Sequence, residues 1–63
     1  MRMAPGKFEV YPDKAGKYRF RLKAPNGEII ATSESYSSKA ACMNGIESVK
    51  KNAAHAPVVD VAE

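Results

Sequence analysis

The sequence predicts a small α+β domain with the element order β-β-β-α-β, in which one helix covers an antiparallel meander. Three observations support this prediction. Apolar and polar residues alternate with a period of two in the first half of the chain, turn-forming residues separate the alternating segments, and the period becomes helical after residue 36. Since 63 residues have room for one domain, we assign residues 1–63 to a single β3-α-β unit.

The three predicted strands cover residues 7–12, 17–24 and 28–33, and a turn separates each pair. In the first turn, Asp13–Gly16, the glycine suits a left-handed backbone, and in the second, Asn26-Gly27 favours a two-residue hairpin loop. Alternate residues of each strand point to one face of the sheet. The predicted inner, apolar face consists of Phe8, Val10, Tyr18, Phe20, Leu22, Ala24, Ile29 and Ala31.

Pairing of the predicted strands places cations beside carboxylates on the outer face. For the second hairpin, the two-residue loop predicts the pairs Lys23–Ile30, Leu22–Ala31, Arg21–Thr32 and Arg19–Glu34. For the first hairpin, matching of the apolar faces predicts Phe8–Phe20, Val10–Tyr18, Glu9–Arg19 and Lys7–Arg21. Arg19 would then lie between Glu9 and Glu34 and form a cross-strand ion pair with each of them.

A helix is predicted over residues 38–54, with Ser37 or Ser38 as its N-cap. Its apolar stripe consists of Cys42, Ile46, Val49 and Ala53. Gly45 in the middle of a helix is unfavourable by about 1 kcal/mol relative to alanine, and close packing over the ring of Phe20 or Tyr18 would explain it. Pro57 closes the segment, and the β-prone run after it predicts a last strand over residues 58–61.

The small size of the chain indicates self-association. So short a core rarely supplies more than about 3–5 kcal/mol of net stability, and small domains add disulfides, a metal or a partner. Cys42 is the only cysteine, which excludes an internal disulfide, and one cysteine with one histidine cannot supply four zinc ligands. We therefore expect a homodimer.

The charge and hydropathy of the chain narrow the classes of function. No apolar run approaches the roughly 20 residues of a membrane span, and residues 1–6 lack the apolar stretch of a signal peptide, so we expect a cytoplasmic protein with no membrane partner. The net charge is +3, with seven Lys and Arg against three Asp and Glu in residues 1–31. This excess falls short of the strong basic stripe of nucleic-acid-binding domains.

Several segments are distinctive when taken together: Gly6–Tyr11, Asp13–Ala24, Asn26–Glu28, Tyr36–Ala41, Ile46–Lys50 and Val59-Asp60. They cover nearly the whole chain and resemble the YegP-like family of small bacterial proteins, whose function is uncharacterised. The resemblance implies a β3-α-β unit that occurs as tandem repeats or as single repeats that dimerise. The single repeat here implies a homodimer with one continuous sheet and exchanged last strands, in which Val58, Val59 and Val61 form the dimer tail.

The outer face of the middle strand is the candidate binding surface. It consists of Lys17, Arg19, Arg21 and Lys23, with Tyr11 beside them. Cations around an aromatic ring on a sheet can hold a phosphate backbone. A charged face also keeps a small sheet soluble, and the predicted carboxylates neutralise Arg19, so we favour the solvated face over the binding surface.

We predict no catalytic, cofactor or metal site. Cys42 falls on the apolar stripe and His55 follows the helix without a second ligand nearby. No isolated carboxylate pair is predicted among Glu9, Asp13, Glu28, Glu34, Glu47, Asp60 and Glu63. Anion binding by Ser35–Ser38 at the helix start is only weakly indicated.

The leading hypothesis is a non-enzymatic homodimeric interaction or structural module of the bacterial cytosol, with itself and an unidentified protein as partners. The alternative is weak binding of nucleic acid or an anionic ligand through the basic outer face. Nucleic acid is the less favoured partner, and neither hypothesis needs a cofactor.

Overall fold

The computed structural model describes residues 5–62 and contains a three-stranded antiparallel sheet with one helix on one face. The elements are β1 Lys7–Pro12, β2 Tyr18–Lys23, β3 Ile29–Thr32 and α1 Lys39–Ala53, and the strand order is β1-β2-β3. The predicted α+β class, meander and helix are confirmed. The predicted last strand, residues 58–61, is not formed within the single chain. The predicted domain limits, residues 1 and 63, lie outside the described residues.

The first hairpin closes through the three-residue loop Lys14–Gly16. The Gly16 amide donates to the carbonyl of Asp13 at 3.1 Å, and Gly16 has a φ of 78°, a conformation that glycine adopts without strain. The observed pairs are Phe8–Leu22, Glu9–Arg21, Val10–Phe20 and Tyr11–Arg19. The predicted pairs Phe8–Phe20, Val10–Tyr18, Glu9–Arg19 and Lys7–Arg21 are therefore wrong by two residues. Because the shift is even, each side chain keeps its predicted face.

The second hairpin closes through the same kind of loop, with Pro25, Asn26 and Gly27 at its tip. The Gly27 amide donates to the carbonyl of Ala24 at 2.9 Å, and Gly27 alone has a positive φ, of 89°. The predicted two-residue turn, which needs positive φ at both residues, is therefore not formed. The longer loop pairs Lys23 with Ile29, so the predicted Lys23–Ile30 pair is wrong.

A β-bulge follows this loop and restores the predicted register in the rest of the second hairpin. The register shifts between Leu22 and Lys23, so that Ile30 is the extra residue of β3. Beyond the shift, the predicted pairs Leu22–Ala31 and Arg21–Thr32 are confirmed.

The helix and the two strands beneath it form the core. Ser38 caps α1, and its hydroxyl accepts a hydrogen bond from the Ala41 amide at 3.0 Å. Among the described residues, Phe20, Cys42 and Ile46 are buried; packed against them are Phe8, Val10, Tyr18, Tyr36 and Val49. Ala53, predicted on the apolar stripe, is exposed, so the packed stripe ends at Val49.

The helix leaves part of the inner face uncovered. Within the described residues, α1 packs against β1 and β2 and not against β3. Ala31, which pairs with Leu22 on the inner face, is therefore exposed. Ile29 pairs with Lys23, so the bulge places it on the outer face and its predicted inner-face position is wrong.

Tyr36 lies under the glycine in the middle of the helix. Tyr18 and Tyr36 exchange two backbone hydrogen bonds of 2.9 and 2.7 Å, which extend the edge of the sheet to the start of the helix. The Tyr36 ring stacks on Phe20 at 6.1 Å, and a Cβ at Gly45 would collide with the Tyr36 hydroxyl and ring. The sequence predicted Phe20 or Tyr18 in this position, and the ring is instead Tyr36.

Candidate functional site

The C-terminal arm, residues 57–62, has no regular secondary structure and is exposed along its whole length. Val58, Val59 and Val61 are 99%, 71% and 80% exposed. The radius of gyration of the chain is 13.7 Å, compared with about 11 Å for a compact domain of this length. A run of exposed valines on a projecting segment is typical of a surface that a partner covers.

An open groove of about 440 Å³ lies between β1 and α1. Its apolar lining consists of Phe8, Val10, Met43 and Ile46, and its charged rim of Lys7, Glu47 and Lys50. β1 is an edge strand of the sheet, so its outward backbone N–H and C=O groups have no strand beside them in the described chain. The groove therefore combines an apolar floor with a free strand edge.

On the outer face of the sheet, Glu9 binds three cations, and we call this group the Glu9 cluster. Its carboxylate lies 2.7 Å from Arg21 Nε and 3.4 Å from the Nζ atoms of both Lys7 and Lys23. The Arg21 hydrogen bond, helped by the lysines and opposed by desolvation, lowers the pKa of Glu9 to about 2. The cluster thus holds three positive charges against one negative charge.

Arg19 is paired at the hairpin and not along the strands. Its Nε lies 3.1 Å from Asp13 Oδ2, and the same carboxylate accepts the backbone amides of Ala15 and Lys17, both at 2.9 Å. The Lys17 amide, followed by Arg19, holds the pKa of Asp13 below its usual value. The predicted Glu9–Arg19 ion pair is wrong, because the two-residue shift of β1 brings Glu9 to Arg21. Among the described residues Arg19 forms no ion pair with Glu34; its guanidinium contacts Asp13 and the carbonyl of Ser33 instead.

The predicted basic face is present but largely occupied by its own contacts. Arg19, Arg21 and Lys23 are in ion pairs, and Lys17 is exposed just before β2. The Arg21 guanidinium lies 4.8 Å from the centre of the Tyr11 ring and covers it. Binding of an anion or nucleic acid to this face stays a prediction.

The remaining candidate residues do not converge on a site. Cys42 is fully buried, and burial raises the pKa of its thiol, so a reactive thiolate is disfavoured. His55 is exposed, and its amide donates to the carbonyl of Asn52 at 3.3 Å. Of the Ser35–Ser38 run, Ser38 caps the helix and Tyr36 packs on the core.

The described part of the chain lacks a metal-binding cluster and a membrane-spanning helix. Within residues 5–62, no three His, Cys, Asp or Glu side chains lie close enough to bind a metal ion together. In the same residues, no helix is both long and apolar enough to span a bilayer.

Sequence reasoning missed the groove, the Glu9 cluster and the core role of Tyr36. The groove depends on which strands the helix covers, and the cluster depends on the strand register. One local signal for Tyr36 was available, namely an aromatic residue directly before a capped helix that contains a glycine.

Comparison with known proteins gives a consistent result. Residues 13–60 match the Domain of unknown function (DUF1508). The UPF0339 protein of Treponema denticola is 66% identical over 56 residues, which are 89% of this chain and 97% of that protein. The UPF0339 protein YegP of Yersinia pestis is 56% identical over 50 residues, which are 79% of this chain and 45% of that protein.

A solved structure has the same fold. The NMR solution structure of a protein from Haloferax volcanii superposes with a TM-score of 0.84 at 48% sequence identity. The match covers 94% of this chain and all of that one.

Proposed function

The chain belongs to the DUF1508 family of UPF0339 proteins, whose function is unknown, and we propose that it acts as a non-enzymatic homodimeric interaction module completed by exchange of its C-terminal arm. The resemblance to the YegP-like family is thereby confirmed. The observation that carries the proposal is the exposed apolar arm beside a domain with a very small core.

The single chain leaves too much apolar surface in water. Only three side chains among the described residues are buried, while the arm exposes three valines. Burying each valine stabilises a protein by about 1.5–3 kcal/mol, whereas a domain of this size has about 3–5 kcal/mol in total. Burial of the arm would therefore contribute a free energy of the same order as the net stability of the domain itself.

The groove beside β1 supplies the matching surface. An arm laid along β1 would pair with the free strand edge and place alternate valines over Phe8 and Val10. In the single chain no described residue of the arm lines the groove, which leaves the groove open to the arm of a second copy.

The length of one relative supports a pair of units. The chain spans 45% of the Yersinia pestis YegP protein, so that protein is long enough to contain two such units in one chain. Two units in one chain would meet at high local concentration, because the chain links them. Two separate single-unit chains would have to associate to make the same contact.

Composition and burial also support the cytoplasmic, non-enzymatic part of the proposal. A lone cysteine without a disulfide partner suits a reducing compartment. Its thiol is buried, and the ionisable side chains of the groove, Lys7, Glu47 and Lys50, lie on its rim. We therefore assign the groove to binding.

Sedimentation equilibrium at micromolar concentration tests the proposal. We expect the mass of two chains, and Val59→Asp or Val61→Asp should raise the dissociation constant at least roughly tenfold, because each places a charge against apolar side chains. Ile30→Asp is the matched control, since it places the same charge on an exposed apolar residue of β3, at the opposite edge of the sheet from the groove. A cooperatively melting monomer whose arm is protected from hydrogen exchange would contradict the proposal.

A further inference from the structure

The Glu9 cluster is electrostatically incomplete in the single chain. Three cations surround one carboxylate, and Glu9 is already ionised at neutral pH. Two of the positive charges therefore have no negative partner within the cluster. Lys7 lies on the edge strand β1 and its side chain is 68% exposed, so the unbalanced charge faces the open edge where a further strand would add.

The arm carries one acidic residue, and alternation decides where it points. Val59 and Val61 share one side of an extended arm, and Asp60 lies on the other. If the two valines cover the groove on the inner face, Asp60 must face the outer side of the sheet, where the Glu9 cluster lies. Side chains on adjacent strands lie about 4.5–5.5 Å apart at Cβ, which is within reach of the long Lys7 side chain.

We infer that Asp60 of the second copy completes the Glu9 cluster and thereby selects the face and register of the exchanged arm. The inference rests on the proposed arm exchange and adds to it a specific pairing residue. The cluster would then hold three cations and two carboxylates, with Lys7 next to the incoming one.

The opposite seating of the arm is excluded by the same residue. A slip by one residue would turn Asp60 into the groove, against Phe8 and Ile46, and Val59 and Val61 out to solvent. Burying an ionised carboxylate without a partner is strongly unfavourable. Asp60 therefore stabilises the correct register by its attraction to the Glu9 cluster. It also destabilises the wrong register, in which its carboxylate would be buried without a partner.

A charge-swap experiment on the full chain tests the pairing. The dissociation constant of the dimer is measured by sedimentation for Asp60→Lys, Lys7→Glu and the double variant. We expect each single variant to weaken the dimer, roughly five- to tenfold, since partly exposed ion pairs contribute modestly. The double variant should recover most of the loss. Asp60→Asn should weaken the dimer by roughly two- to fivefold at low salt and hardly at all at high salt.

Two controls keep the result interpretable. Glu34→Lys makes the same charge change just after β3, on the far edge of the sheet from β1, and should show no coupling to Lys7→Glu. Circular dichroism of each variant checks that the sheet and helix are intact.

The outcomes separate this inference from the proposed function. If Val59→Asp does not weaken the dimer, the arm exchange itself is wrong. If Val59→Asp dissociates the dimer but the losses from Asp60→Lys and Lys7→Glu simply add, only the Asp60 pairing is wrong. Steeply salt-dependent binding of a single-stranded oligonucleotide that Lys7→Glu abolishes would assign the unbalanced charge to a polyanion and overturn the inference.

Discussion

The helix-covered half of the sheet and the C-terminal arm contain similar apolar side chains in opposite surroundings. Phe20, Cys42 and Ile46 are at most 6% exposed, while Val59 and Val61 are more than 70% exposed. The first group is buried by contacts within one chain, and the second group stays exposed to solvent in that chain. The difference teaches that one copy of the chain buries only part of its apolar side chains, and in our proposal a second copy covers the rest.

The largest effect should come from the self-contained half. Phe20→Ala removes the ring that contacts both Phe8 and Tyr36 and should destabilise the domain by about 3–5 kcal/mol. Because that equals the net stability of a domain this small, the variant should be largely unfolded at 25 °C by circular dichroism. Phe20→Leu keeps most of the apolar volume and should retain a cooperative transition. A wild-type melting curve for Phe20→Ala would show that the core lies elsewhere.

The helix–sheet contact at Tyr36 gives the next largest effect. Gly45→Ala should destabilise by about 1–3 kcal/mol through overpacking, although alanine is favoured by about 1 kcal/mol in an open helix. Asn44→Ala, on the exposed side of the same helix, should stabilise slightly. Tyr36→Phe, which removes the nearest atom, should recover part of the loss in the Gly45→Ala background. A higher melting temperature for Gly45→Ala alone would contradict this packing.

The elements of this fold were predictable because each depends on a local pattern. Alternation in residues 17–24 and the period from Cys42 to Val49 are properties of short segments, and the structure keeps both. The ring under Gly45 was not predictable in the same way. Its contact with Tyr36 depends on how the segment between β3 and α1 folds back onto β2.

The registers of the two hairpins were predicted wrongly for separate physical reasons, and the register of the first hairpin also governs the candidate site. Asn26-Gly27 suits a two-residue turn, but Pro25 supplies the fixed φ that also starts a longer loop, and the two loops differ in pairing by one residue. The ion pairs of β1 follow the register of the first hairpin, in which the loop Lys14–Gly16 pairs Glu9 with Arg21 and not with the predicted Arg19. Because that shift is even, the side chains of β1 keep their predicted faces. The exposed arm was named from its valines, and the groove needed the three-dimensional arrangement of β1 and α1.

Acidification should weaken the Glu9 cluster at a defined pH. The pKa of Glu9 is lowered to about 2 from 4.5, so its ionised form is stabilised by folding. That contribution is fully present above pH 4.5 and is lost as the pH falls towards 2. Glu9→Gln should lower the melting temperature at pH 7, and the difference from wild type should shrink below pH 4.5 and vanish near pH 2. A difference independent of pH would mean that Glu9 acts through packing.

The smallest effect should come from an exposed apolar residue that the arm exchange does not use. Ile30 is the bulged residue of β3, is 61% exposed, and lies at the opposite edge of the sheet from the groove. Ile30→Thr should change stability by no more than about 0.5 kcal/mol and leave the dissociation constant of the dimer unchanged in sedimentation. Val59→Thr makes a comparable β-branched, apolar-to-polar change and should weaken the dimer measurably. If Ile30→Thr dissociates the dimer instead, the second copy binds at the β3 edge of the sheet and not at the groove beside β1.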